Sequence, residues 1–282
     1  MQRGHVPAHS DRANLADILT ALTIRLAGSM FHGLLHSLGQ SLARYLSRPR
    51  ANLQTGMPTE RGALVKSLRP GDVLLVEGNS RVSSVIKYLT QSTWSHAALF
   101  IGPTVGGQDP HGDPYLFIEA DLVDGVCKRS LRYYQNYPTR ICRPSGLTEA
   151  DISRLLTEIT SKLGQQYDLK NLFDLARYLL PGLPLRGHWR RRLIALGAGD
   201  PTRAICSSLI AECFQSVGYP LLPEITVDLS EDPVRHHAVT RTIFHIRSRK
   251  LFVPRDFDVS PWFHIVKPPL APDFDFHRIH WG

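Results

Sequence analysis

The chain contains the three kinds of side chain that catalyse acyl transfer through a thiol: Cys206, His96 and Glu119. In such a reaction the cysteine attacks a carbonyl carbon, and a histidine first accepts the thiol proton and then donates it to the leaving group. A third group, bound to the other ring nitrogen, sets the tautomer and the orientation of the histidine. These residues are therefore the first candidates for a catalytic site.

Cys206 opens the segment 206–217, whose helical pattern ends at Gly218 and Pro220. A cysteine at the start of a helix lies near free backbone N–H groups and the positive end of the helix dipole, which favour the thiolate. The same N–H groups can bind the oxyanion of a tetrahedral intermediate. Apolar and small residues follow Cys206 at helical spacing, so the pattern also fits a cysteine that is simply buried in the core.

His96 and Glu119 are placed by two predicted strands. His96 precedes the apolar run 97–101, and Glu119 alternates with Tyr115 and Phe117 along the strand 115–120. Spacing alone equally fits a core histidine and an acid at the exposed end of a strand. The catalytic interpretation therefore needs further support.

Other segments complete a mixed architecture. We predict further strands at 73–76, 139–142, 243–246 and 262–266, and helices at 83–89, 149–163 and 167–180. Thr148 and Asp151 have the spacing of a capping box at the start of the second of these helices. These strands and helices fit an α+β fold.

Three motifs, in this order, resemble the permuted branch of the NlpC/P60 (papain-like) superfamily, specifically its YiiX/YebB-like group. They are Trp94-Ser-His-Ala-Ala-Leu-Phe-Ile-Gly102, Phe117-Ile-Glu-Ala120 and Ile205-Cys-Ser-Ser-Leu-Ile-Ala211. In the permuted branch the histidine and the acid precede the cysteine, as they do here. Supporting matches extend the resemblance over residues 68–267: Pro70-Gly-Asp72, Gly164-Gln-Gln-Tyr-Asp168 and Pro254-Arg-Asp256.

The resemblance implies a circularly permuted papain-like fold, with a curved antiparallel sheet packed against helices. It implies a cysteine hydrolase that cleaves an amide or ester bond in a peptide, an acyl-amino acid or a lipid-like substrate. Cys206 would be the nucleophile, His96 the base and Glu119 the orienting acid. Tyr167 is a candidate for the substrate cleft, although packing at a helix entry explains it equally well.

Two other functions stay open. Acyltransferases of the lecithin:retinol acyltransferase type share the permuted fold and pass the acyl group to an acceptor other than water. They typically carry Asn-Cys-Glu-His around the nucleophile, from which Ala204-Ile-Cys-Ser-Ser208 departs. The second alternative is a non-catalytic protein that holds a lipid or peptide in the same cleft.

Residues 1–62 lie outside the resemblance, and we predict that they form an extension and linker before a catalytic domain at 63–282. Apolar residues recur at helical spacing from 14 to 47, with no acidic residue between Ile18 and Thr59. This basic amphipathic helix fits peripheral binding to an anionic membrane, and it equally fits packing on the domain or on a second subunit. The segment is too interrupted by polar residues to span a bilayer.

The composition limits the partners, cofactors and location that we expect for the protein. The net charge of +8 and the pI near 9.5 favour anionic partners, but no nucleic-acid-binding motif accompanies them, so no nucleic acid is expected. The four cysteines form no CxxC pair, and no histidine cluster has a recognisable ligand spacing, so we predict reduced thiols, no metal and no cofactor. Without a signal peptide pattern, the expected location is the cytoplasm, with or without peripheral membrane binding.

Overall fold

The computed structural model describes residues 40–41, 44–49, 58–166, 205–231, 238–245, 252–268 and 277. Most of the predicted amphipathic helix (residues 14–39) lies outside the described residues. So do the predicted helix 167–180, which includes Tyr167, and the basic cluster 186–192.

The described residues form an α+β fold, as predicted. The helices are α1 (Arg61–Ser67), α2 (Arg81–Thr90), α3 (Glu149–Ser161), α4 (Ile205–Ser216) and α5 (Pro254–Val259), with short 3₁₀ helices at Gly102–Val105 and Leu131–Tyr134. The strands are β1 (Val73–Val76), β2 (His96–Phe100), β3 (Tyr115–Asp121), β4 (Gly125–Ser130), β5 (Thr139–Pro144), β6 (Glu224–Glu231), β7 (Ala238–His245) and β8 (Phe263–Val266). None of these helices is long and apolar enough to cross a bilayer.

The strands pair antiparallel in two sheets of the described structure. Six of them form one sheet in the order β4-β3-β2-β1-β5-β8, and β6 pairs with β7. In the larger sheet Val76 lies opposite His96, and Glu119 lies opposite Cys127. A register shift between Tyr115 and Phe117 interrupts strict alternation in β3, so Tyr115 does not continue the face of Phe117 and Glu119 as the sequence pattern predicted.

Alternation along the central strands divides the core into two clusters, one on each face of the sheet. Val73 and Leu75 of β1 belong to the larger cluster, together with the buried face of α4. Leu74 and Val76 belong to the smaller cluster, which includes Phe117 and Tyr134. Because β1 is buried on both faces, its sequence is a continuous apolar run, typical of a central strand.

A buried ion pair joins the start of β1 to β5. Asp72 is almost fully buried and accepts hydrogen bonds from Arg143 Nε at 2.8 Å and Nη2 at 2.7 Å. Gly71 precedes it with φ +91°, a conformation that glycine adopts without the steric penalty of other residues. The Pro-Gly-Asp motif thus forms the turn that precedes β1, whose last residue, Val76, lies opposite His96.

The sequence predicted most of these helices and strands, and four of them were missed. Predicted strands and helices coincide with β1, β2, β3, β5, β7, β8, α2, α3 and α4 to within a few residues, apart from β7, which begins five residues earlier. The capping box of Thr148 and Asp151 is present. The strands β4 and β6 and the helices α1 and α5 were missed. The predicted domain boundary at Gly62 falls inside α1, and Leu46 of the predicted extension is buried.

Candidate active site

The three predicted catalytic residues come from three elements that pack together. Cys206 is the second residue of α4, His96 is the first residue of β2, and Glu119 lies in β3 beside it. The helix α4 packs against both strands. The structure therefore brings together side chains that are up to 110 positions apart in sequence.

His96 and Glu119 form a short hydrogen bond. The distance from His96 Nε2 to Glu119 Oε2 is 2.6 Å. Because a carboxylate only accepts, Nε2 carries the proton and the other ring nitrogen, Nδ1, is left for Cys206. Glu119 is fully buried, whereas the histidine side chain retains 23% exposure, so the ring can be reached from solvent.

Two residues that the sequence analysis did not predict hold Glu119. Tyr134 donates its hydroxyl to Glu119 Oε2 at 2.5 Å, and Arg129 Nε donates to Oε1 at 2.8 Å. The buried carboxylate thus has donors on both oxygens, which compensates for its removal from water. A buried acid predicts that such donors exist, but no local pattern in the sequence identifies them.

Cys206 is buried and hydrogen-bonded. Against the opposing effect of burial, interactions with the side chain of His96 and with the backbone of Ala97 lower the pKa of its thiol. The hydroxyl of Ser207 lies 3.8 Å from the sulfur. These contacts surround the sulfur with groups that stabilise a negative charge.

The coupled pair of Cys206 and His96 favours the charged forms of both residues. Burial acts to raise the pKa of Cys206, but the charge and hydrogen bond of His96 outweigh it, and the pKa is lowered. Burial likewise acts to lower the pKa of His96, but the charges of Glu119 and Cys206 raise it well above its usual value. Each residue therefore stabilises the charged form of the other.

Glu119 remains ionised for a related reason. Burial acts to raise its pKa, but the charge and hydrogen bond of His96, assisted by Arg129 and Tyr134, lower the pKa to about 2. The charges alternate in sign through the series of interacting side chains Cys206, His96, Glu119 and Arg129. This alternation lets four charged groups coexist in a mostly buried site.

The other three cysteines behave in the opposite way. Burial raises the pKa of Cys127 and of Cys213 to about 12, and it raises the pKa of Cys142 as well. All four cysteines are free thiols in the structure. Cys206 is thus the cysteine that the structure makes more acidic, and by that criterion the most reactive one.

Two further predictions about the site concern Tyr167 and the absence of a metal ion. Tyr167 lies outside the described residues. Among the described residues, no three His, Cys, Asp or Glu side chains are grouped so that they could hold a metal ion.

Comparisons with known proteins found similarity among solved structures, where five chains match. No protein-family model and no curated protein matches the chain. Among solved structures, the chain is similar to the metalloprotein yiiX from Escherichia coli O157:H7, with a TM-score of 0.41 and 17% sequence identity. That match covers 72% of this chain and 98% of the other.

Proposed function

We propose that the protein is a cysteine hydrolase of the permuted NlpC/P60 (papain-like) type, which cleaves an amide or ester bond. One observation carries the proposal: the cysteine with the lowered pKa is hydrogen-bonded to a histidine whose other ring nitrogen is bound to a buried, ionised acid. Structural ion pairs also shift pKa values, but they do not require a cysteine at a helix start.

The first half of the reaction forms an acyl-enzyme. The Cys206 thiolate attacks the carbonyl carbon of the substrate, and the carbonyl electrons move to the oxygen. When this tetrahedral intermediate collapses, the bond to the leaving amine or alcohol breaks, and His96 donates the Nδ1 proton to the leaving group. The acyl group is then a thioester on Cys206, and His96 is neutral.

The second half releases the product. Neutral His96 accepts a proton from a water molecule as the water oxygen attacks the thioester carbon. Collapse of this intermediate expels the Cys206 thiolate, so the carboxylic acid leaves and the thiolate–imidazolium pair is restored. In an acyltransferase of the lecithin:retinol type, an acceptor hydroxyl or amine takes the place of water in this step.

Glu119 acts on the reaction through His96. Its carboxylate stabilises the imidazolium and holds the ring so that Nδ1 faces the sulfur. Arg129 and Tyr134 in turn hold the carboxylate, which keeps it from rotating away when the histidine becomes neutral. The three residues are thus positioning groups, and the covalent chemistry belongs to Cys206 and His96.

The substrate class is part of the proposal. Peptides, acyl-amino acids and lipid-like esters all offer the required carbonyl group. Peripheral binding to an anionic membrane through the basic segment at 14–47 would bring the site to lipid-like substrates. The described residues do not include most of that segment, so the sequence pattern is its support.

Labelling with iodoacetamide tests the proposal directly. At mildly acidic pH we expect one equivalent of label on Cys206, found by peptide mass analysis, because a thiolate reacts and an ordinary thiol does not. The variant Cys206→Ala should stay folded and lose this label, whereas Cys127→Ala should keep it. Hydrolysis of an ester or amide substrate pool should disappear with the same variant and persist in a metal chelator. Equal labelling of Cys127 and Cys206, or hydrolysis that survives in Cys206→Ala, would show that the nucleophile is misassigned.

A further inference from the structure

The described residues line a polar cleft of about 530 Å³ that does not include the three residues of the candidate active site. Its walls come from α2 and the turn that follows, the segment before β2, the start of β5, and α5. Trp94 lines the cleft two positions before His96. The volume is in the range of small-molecule binding sites, so the charges on the walls indicate which class of ligand the cleft would bind.

One pair of charges in the cleft is mutually neutralised. Glu77 is buried, and Lys87 Nζ lies 3.1 Å from its Oε1. A buried carboxylate needs such a partner, so the burial of Glu77 explains why a lysine is present. This pair contributes no net charge to the cleft.

Arg140 is held in a fixed position at the wall. Its Nη1 donates to both carboxylate oxygens of Asp258, at 2.7 and 3.0 Å, and its guanidinium lies 4.9 Å above the Trp94 ring. Trp94 Nε1 donates to the same carboxylate at 3.1 Å. Asp258 thus orients Arg140 through one nitrogen, and the contacts within the described residues leave the remaining guanidinium edge for a ligand.

Arg255 brings a second guanidinium to the same cleft. It is exposed, and its Nη1 donates to the carbonyl oxygens of Thr90 and Gln91, at 3.1 and 3.4 Å. These carbonyls are at the end of α2, where a helix favours a positive charge. Across the part of the chain that the structure describes, Arg255 has no acidic partner within ion-pair distance. Summed over the described residues that line it, the cleft therefore has one positive charge in excess.

We propose that this cleft is a binding site for an oxyanion group, the carboxylate or phosphate of a small ligand, held by Arg140 and Arg255. Guanidinium groups match the geometry of both anions and bind them through paired hydrogen bonds. The two arginines come from β5 and α5 and are each held in place by other contacts, so little side-chain freedom is lost on binding. The proposal does not depend on Cys206 being a nucleophile.

Titration of the full-length protein with simple anions tests the site. Inorganic phosphate and acetate are added in separate arms, and sodium chloride of matched ionic strength serves as the reference. The readout is the ¹⁵N–¹H resonance of the Trp94 indole, which donates to Asp258 beside the proposed ligand and is assigned by its loss in Trp94→Phe. We expect a saturable shift with phosphate, with acetate or with both, and the responding arm identifies the oxyanion that the cleft prefers.

The variant Arg255→Gln should weaken this binding by about tenfold, because a charge-assisted hydrogen bond is lost. Arg69→Gln is the matched control, since Arg69 is also exposed and does not line the cleft. Arg69 precedes the first residue of β1, whereas Glu77 of the cleft follows its last residue. Arg69→Gln should bind as the parent does. An equal shift with chloride, no saturable shift in either arm, or unchanged affinity in Arg255→Gln would each overturn the proposal.

Discussion

Replacing Tyr134 by phenylalanine removes one oxygen atom from the candidate site and leaves the ring in place. The lost hydroxyl donates to Glu119 Oε2 at 2.5 Å in a fully buried position. The ring itself packs edge-on against Phe117, with 5.1 Å between the ring centroids, and that contact remains. The substitution therefore isolates the hydrogen bond to the carboxylate.

The free energy lost with the hydroxyl depends on the charge of Glu119. A hydrogen bond to a charged group contributes about 1.5–3 kcal/mol, which corresponds to roughly 1–2 pKa units. We therefore expect the pKa of Glu119 to rise from about 2 to roughly 3–4, still below its usual 4.5. Because the folded-state pKa is depressed, the associated stability is present above the unfolded-state pKa and is lost as pH falls toward the folded-state value.

The assay is urea denaturation at a series of pH values. At neutral pH the free energy of unfolding of Tyr134→Phe should be lower than that of the parent by about 1.5–3 kcal/mol. This difference should hold at neutral pH and shrink below about pH 4, where the carboxyl group of the variant becomes protonated first. Since Glu119 stays ionised at neutral pH, labelling of Cys206 there should change little.

Tyr133→Phe is the matched control, because Tyr133 is the neighbouring residue and is about half exposed. It should leave the free energy of unfolding within about 0.5 kcal/mol of the parent, as is usual for surface substitutions. The reasoning fails if the two variants are equally stable at neutral pH. It also fails if the deficit of Tyr134→Phe is independent of pH, since the lost oxygen would then not act on an ionised carboxylate.

Three further predictions concern other parts of the chain. Glu119→Gln removes the charge that raises the pKa of His96, so the pH midpoint for labelling of the reactive thiol should move upward, and an unchanged midpoint would contradict the proposed triad. Gly125→Ala should lower the free energy of unfolding by about 1–3 kcal/mol more than Gly112→Ala, because both have positive φ but only at Gly125 would the new Cβ lie 2.4 Å from a backbone oxygen. Removal of residues 1–39 should abolish salt-sensitive co-sedimentation with anionic vesicles, and equal sedimentation of the two chains would leave packing as the role of that segment.

Local structure was largely readable from the sequence. Hydrophobic periodicity located the strands that carry His96 and Glu119, and glycine and proline marked the end of the helix that carries Cys206. The capping box of Thr148 and Asp151 was also recognised from two residues three positions apart. Each of these features depends on neighbours a few positions away, so a single sequence contains the necessary information.

The strand β4 could not be predicted from local sequence. Its sequence, Gly-Val-Cys-Lys-Arg-Ser, has one strongly apolar residue and no alternation, so nothing local distinguishes it from a loop. It forms a strand because β3 lies beside it and completes its backbone hydrogen bonds. Arg129, which β4 carries to Glu119, was therefore missed together with the strand.

The candidate site and the oxyanion cleft were decided by tertiary structure. The sequence by itself determined which residue types were available and that Cys206 would begin a helix. Only the folded chain decided that its sulfur contacts His96, that Tyr134 and Arg129 meet one buried carboxylate, and that Arg255 lies near Arg140. The physical reason is that these contacts join residues far apart in sequence. The charges of Cys206, His96 and Glu119 shift one another's pKa values only after burial has removed the water that would otherwise screen them.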